Sequence, residues 1–157
     1  EMGYNYRLSD IHCALGRSQL SKIETFLQKR HRLARRYHER ISEVFKEGEV
    51  TPLGVSTGMY HAYHLYVVRI PFENLNRSRA DVMNRLAEDG IGSHVHYIPV
   101  YRQPYYQALY PGGVHCPRAE HYYDTCLSLP MYVSLTEDDV DRVVETLHNV
   151  LKDGCKP

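Results

Sequence analysis

Five tyrosines, a histidine and an arginine gather between residues 96 and 110, in the run His96-Tyr97-Ile98-Pro99-Val100-Tyr101-Arg102-Gln103-Pro104-Tyr105-Tyr106-Gln107-Ala108-Leu109-Tyr110. Tyrosine and histidine present flat faces with a polar tip, and arginine adds a rigid cationic fork. A loop of this make-up suits a polar, ring-shaped, anionic ligand such as a nucleotide sugar. Pro99 and Pro104 are expected to keep regular structure out of the run. They hold His96, Tyr97 and Arg102 at the exit of a short strand, which makes these three the candidate substrate-binding residues. The remaining tyrosines are read as plugs for a small core.

His94-Val95-His96 sits on the expected strand over residues 91–98, so both imidazoles point to one face. With His61 or His64 from a neighbouring strand they suggest a three-histidine zinc site. No carboxylate or cysteine falls at a ligand spacing beside the pair, so the expectation is hydrogen-bonded histidines and no metal. Cys13, Cys116, Cys126 and Cys155 lack the spacing of a zinc knuckle or a disulfide framework, and are read as reduced thiols of a cytoplasmic protein. No Gly-x-Ser-x-Gly elbow is present, and Gly112-Gly113 after Pro111 is a turn rather than a phosphate loop. Lys22, Lys29, Lys46, Lys152 and Lys156 lie on helix faces or in the tail, where no amine is desolvated enough for Schiff-base chemistry. No residue of the chain is therefore assigned a catalytic role. Asn5, followed by a capped helix, offers an amide and a helix N-terminus to a phosphate; the other reading of Asn5 is a turn residue bonding its own backbone.

The elements that must position these groups follow from periodicity. Leu20, Ile23, Leu27, Ala34, Tyr37, Ile41 and Val44 mark a long amphipathic helix closed by Gly48. An earlier segment over residues 9–22 starts at the cap Ser9, with a bend near residues 22–25. The charged face of the long helix (Lys29, Arg30, Arg32, Arg35, Arg36, Glu39, Arg40) reads as solvated, with an anion site as the alternative. Residues 60–70 form a strand candidate closed by Pro71. Ser78 caps a helix carrying Val82, Met83, Leu86 and Ala87, with Gly90 past its end. A second strand follows, then a short helix over residues 119–125. Residues 127–132 are a third strand, made an edge by Pro130. Thr136, with Asp139 three residues on, opens a last helix whose apolar face is Val140, Val143, Val144, Leu147, Val150 and Leu151. This order predicts a single α+β domain of 157 residues, a sheet of about three strands with helices packed on one side.

The formal net charge is zero, which gives no argument for nucleic acid or an anionic membrane surface. No apolar run is long enough to span a bilayer. Glu1 and Met2 lead straight into a motif with no leader, so the chain is expected to be cut from something longer.

The stretches Gly3-Tyr4-Asn5-Tyr6-Arg7-Leu8-Ser9-Asp10-Ile11-His12-Cys13-Ala14-Leu15-Gly16, Gln19-Leu20 and Tyr63-His64-Leu65-Tyr66, together with Gly90-Ile91-Gly92-Ser93-His94-Val95-His96-Tyr97-Ile98-Pro99 and Leu127-Ser128-Leu129-Pro130-Met131, resemble the C-terminal part of the DegT/StrS-like sugar aminotransferases. These are pyridoxal 5'-phosphate (PLP) enzymes of fold type I, and the resemblance covers nearly the whole chain. Pro99-Val100-Tyr101-Arg102-Gln103-Pro104-Tyr105-Tyr106 and Cys116-Pro117-Arg118-Ala119-Glu120 further resemble the pseudaminic acid branch. Its enzymes aminate C4 of a UDP-linked 4-keto-6-deoxy-N-acetylhexosamine with glutamate as donor.

The resemblance implies that residues 1–157 are the small C-terminal domain, with a short, mainly antiparallel sheet. The large domain would carry the PLP-bonding lysine, which also moves the proton, and an aspartate for the pyridine nitrogen; it lies outside this chain. Asn5 would reach the PLP phosphate of the partner subunit in a homodimer, and His96 would lie on the sugar side of the site. Tyr97 and Arg102 would contact the nucleotide sugar. The isolated chain would be inactive. The rival readings are a 3-keto sugar aminotransferase, a dehydratase relative, a non-catalytic sugar-nucleotide-binding module and a histidine metal site.

Overall fold

A computed structural model of the chain describes residue 4 and residues 6–152. Two helices open it, α1 (Asp10–Leu20) and α2 (Ile23–Val44). Ser9 caps α1, its hydroxyl accepting from the His12 amide. A two-residue turn at Ser21 and Lys22 separates the helices, at the near edge of the bend expected around residues 22–25. No side chain of α1 is buried, so Leu20, expected on the apolar stripe, is exposed along with Ile11 and Leu15. α2 buries Leu33, Ala34, Tyr37 and Ile41 and ends four residues before Gly48. There Phe45 turns extended and drops its ring into the core. Gly48, at φ +88°, serves the following turn instead.

The sheet has the expected three antiparallel strands but not the expected membership. Its order is β1 (Thr51–Pro52), β2 (Tyr66–Arg69), β3 (Cys126–Leu129), with Tyr66 opposite Leu129 and Thr51 opposite Arg69. The strand expected over residues 60–70 shrinks to its last third. Tyr63 sits at φ +45°, outside the β region, and its amide donates to His61 Nδ1 at 3.1 Å. The strand expected over residues 91–98 is reduced to one isolated bridge between His94 and Ser128. β1, too short to show periodicity, takes its place. β3 ends at Pro130, as a proline-limited edge must.

The run over residues 96–110 is more regular than its prolines suggested. A 3₁₀ turn (Val100–Arg102) leads into α4 (Pro104–Leu109). Each proline precedes or opens an element, where its missing N–H costs nothing. α3 (Arg79–Glu88) carries the Ser78 capping box with Asp81. α5 (Pro117–Thr125) is two residues longer than expected. α6 (Glu137–Lys152) buries the six residues of its expected face.

Alternation along the strands sorts side chains between the two sheet faces. Tyr66, Val68, Leu127 and Leu129 join the core built with α2, α3 and α6. Val144, Leu147 and Leu86 are fully enclosed there, each contributing about 1.5–3 kcal/mol.

Charge pairing fixes α6 on α2. Arg36 donates from Nε to Asp141 Oδ1 at 2.7 Å and from Nη2 to Oδ2. Arg40 approaches the same carboxylate at 3.6 Å, and Arg32 reaches Glu137 at 3.3 Å. The hydrogen bonds from Arg36 hold the Asp141 carboxyl below its ordinary range. Ser78 does the same for Asp81, and Thr136 for Asp139. A carboxyl depressed in the folded state adds stability above its unfolded pKa, about 3.9, and loses it as pH falls through the lower folded value. The urea midpoint is therefore expected to drop on acidification below about pH 4. Asp141→Asn should remove a share of that dependence and also lower the midpoint at pH 7. An Asp141→Asn chain with the wild-type pH profile would show that the pairing carries no linkage.

Candidate functional site

The segment that carries the candidate histidines is anchored before and after it. Gly90 at φ +75° closes α3 and turns the chain, with Ile91 N–H donating to Leu86 O at 2.8 Å. Ile91 then plugs into the core. Three residues on, His94 and Ser128 exchange both backbone hydrogen bonds, at 3.1 and 2.8 Å. This places His96 beside the outer face of β3. Its ring Nδ1 lies 2.8 Å from Ser128 Oγ, and its carbonyl accepts from Tyr122 O–H at 3.2 Å.

His94 and His96 have ring centroids 6.0 Å apart. Both line a cavity of about 410 Å³ together with His64, Gly92, Ser128 and Arg142. Arg142 donates to Asp89 O at 2.6 Å. The two histidines thus share one cavity, as their spacing predicted, and His64 joins them. Among the described residues no group of three histidine, cysteine or acidic side chains is placed to hold a metal ion.

Tyr97 packs edge-on against His96, with centroids 4.6 Å apart, and is 72% exposed. Arg102 is held elsewhere. It pairs with Glu120 at 3.7 Å and Asp124 at 3.6 Å, and its guanidinium lies 5.7 Å from the Tyr123 ring centroid. Glu120 is the hub of that loop, accepting from Tyr101 O–H at 3.0 Å and Cys116 N–H at 3.1 Å and contacting His115. The Cys116 amide, first among these contacts, holds the Glu120 carboxyl below its usual range. The structure thus brings His96 and Tyr97 together and puts Arg102 in a separate ion-pair cluster. Asn5 lies outside the described residues.

Sequence reasoning missed Ser128, Tyr122 and Arg142. The signal for Ser128 was present: one hydroxyl in the otherwise apolar Cys126-Leu127-Ser128-Leu129, a residue type that needs a partner when buried. Nothing in the sequence singled out Tyr122 or Arg142. Of the lysines, the described Lys22, Lys29, Lys46 and Lys152 are all exposed.

Comparison with known proteins gives this cavity a context. Over 152 residues the chain is 34% identical to the spore coat polysaccharide biosynthesis protein SpsC of Bacillus subtilis (strain 168), covering 96% of this chain and 38% of that one. It superposes on Helicobacter pylori PseC, an aminotransferase involved in the biosynthesis of pseudoaminic acid, with a TM-score of 0.86. The identity there is 27%, over 98% of this chain and 40% of PseC. The PLP-form of Spr1654 from Streptococcus pneumoniae matches with a TM-score of 0.80 and 26% identity, over 94% of this chain and 36% of that one. The chain therefore spans about two-fifths of the length of these relatives. Residues 1–148 match the DegT/DnrJ/EryC1/StrS aminotransferase family, and the chain belongs to it.

Proposed function

We propose that this chain is the small C-terminal domain of a PLP-dependent aminotransferase that moves an amino group from glutamate to a UDP-linked 4-keto sugar. The observation that carries the reading is the His96 cavity, lined also by His64, His94 and Arg142, in which one nitrogen of the His96 imidazole is occupied by Ser128. The family supplies the class of chemistry, and the likeness to PseC, an aminotransferase of pseudoaminic acid biosynthesis, favours a sugar acceptor.

The described residues do not by themselves fit PLP. Every described lysine is exposed, so no amine is desolvated for covalent attachment. When bound, PLP supplies the electron sink, and the protein supplies orientation and charge. The attaching lysine belongs to a large domain outside this chain. In this reading Asn5 reaches the cofactor phosphate of the partner subunit in a homodimer. His96 and Tyr97 meet the sugar, and Arg102 meets the nucleotide from the neighbouring loop. The enzyme works in the cytoplasm.

Incubating the 157-residue chain with PLP and borohydride is expected to give no stoichiometric lysine adduct, while the complete enzyme gives one. Peptide mass mapping reads the result. A single defined adduct on this chain would overturn the division of labour. Tight binding of UDP-N-acetylglucosamine by the chain alone would favour a self-sufficient binding module instead.

A further inference from the structure

We propose that Ser128 is a positioning residue for His96. It presents the Nε2 nitrogen to the cavity and lets that nitrogen act as donor or acceptor without moving the ring. The proposal rests on the reading of His96 as a substrate-side group. Ser128 is 4% exposed, in a strand whose other members are apolar. A buried hydroxyl is unfavourable unless it is hydrogen-bonded. The backbone of Ser128 is already committed to His94, and its register fixes it opposite Val67. The hydroxyl therefore has little freedom beyond rotation about its own bond, and its one described partner is His96 Nδ1, at 2.8 Å.

His96 is held from a second side by Tyr122, whose hydroxyl donates to the His96 carbonyl. Backbone and ring are thus both fixed, by two elements that adjoin in sequence, α5 and β3. With Nδ1 engaged, Nε2 is the nitrogen left over. No described residue bonds it, and the ring lines the cavity.

The partner type decides what Nε2 can do. A backbone carbonyl or carboxylate at Nδ1 accepts only, which locks a proton there and leaves neutral Nε2 an acceptor. A hydroxyl both donates and accepts. When Ser128 donates to Nδ1, Nε2 carries the hydrogen and offers it to a ligand oxygen that can only accept, such as a keto group. When Ser128 accepts from Nδ1–H, Nε2 is bare and receives a ligand hydroxyl. Exchange between the two takes the proton off one ring nitrogen and returns one to the other through solvent or ligand, while the serine O–H turns to match and the ring stays in place. This matches a ligand class in which keto and hydroxyl oxygens stand side by side on one ring.

The test reads the imidazole directly. In ¹⁵N-histidine-labelled chain, with His96 assigned by its loss in His96→Gln, the Nδ1 shift should carry a hydrogen-bonded signature. Ser128→Ala should move it toward the free-imidazole value, and Ser128→Thr should restore it. Ser128→Cys, close in volume but a weak donor, covers the case in which alanine loosens the strand. It should give the alanine result with the His94 amide signal unchanged. His96 nitrogen shifts that stay at wild-type values in both Ser128→Ala and Ser128→Cys would overturn the proposal.

In the complete enzyme, Ser128→Ala is expected to lower kcat/KM for the keto sugar about tenfold, the scale of one hydrogen bond. Ser128→Thr should recover it. If the nitrogen shifts respond but His96→Ala leaves turnover intact, the positioning stands and the functional reading falls. If His96→Ala abolishes turnover while the shifts ignore Ser128, the reverse holds.

Discussion

Tyr37→Ala is expected to lower the unfolding free energy by about 3–5 kcal/mol, and Tyr37→Phe by only about 1 kcal/mol. Tyr37 is completely enclosed on α2, and its ring stacks on Tyr66 of β2 at 4.4 Å. Its hydroxyl donates to Pro130 O at 2.9 Å, just beyond β3. Burial drives its phenol far above the ordinary range, so it stays neutral and serves as a fixed donor. Deleting the ring opens a cavity between helix and sheet, whereas phenylalanine removes only the tether to Pro130. Urea unfolding followed by circular dichroism separates the two. A phenylalanine variant as damaged as the alanine variant would mean that the tether, not the packing, dominates. Pro130 also lines the histidine cavity, so the tether fixes part of its wall.

If the complete enzyme acts as proposed, on glutamate and a keto sugar nucleotide, His96→Ala is expected to reduce kcat/KM for the sugar on the order of 100-fold, the scale of a lost preorganised donor. The glutamate half of the reaction should stay within about twofold, since differential loss marks contacts made to one substrate only. Single-turnover measurements of the two halves read these separately. Equal losses in both would place His96 at the shared chemistry rather than at the sugar. Unchanged kinetics in both would remove it from the site.

Much of this architecture was legible from residue spacing because helices repeat over many turns. The α6 face could be read residue by residue, from Val140 to Leu151, and its Thr136 and Asp139 opening is a reciprocal hydrogen-bonded cap. The sheet was harder, since a strand of two or four residues offers too few alternations to locate its ends. Residues 60–65 have strand-like composition, yet Tyr63 turns out of the β region, and Tyr60 and Tyr63 pack on His31 of α2. Tertiary contact overrode local preference there. Of the candidate site, His94 and His96 were correctly placed on one side because a single bridge preserves local alternation. Arg102 was grouped with His96 on closeness in sequence, while its surroundings depend on Glu120 and Asp124, a helix away. Charge pairing across elements leaves no periodic trace in a sequence.

β3 has one further consequence. Its odd-numbered leucines, Leu127 and Leu129, belong to the interior, and its even-numbered Ser128 belongs to the histidine. Cys126 is buried as well, so Ser128 is the one polar position of a strand otherwise committed to packing. Substitutions at Leu127 or Leu129 are expected to change how firmly the domain folds, and substitutions at Ser128 to change how the His96 ring is held as well. Adjacent positions of one short strand thus tie the interior to the cavity wall.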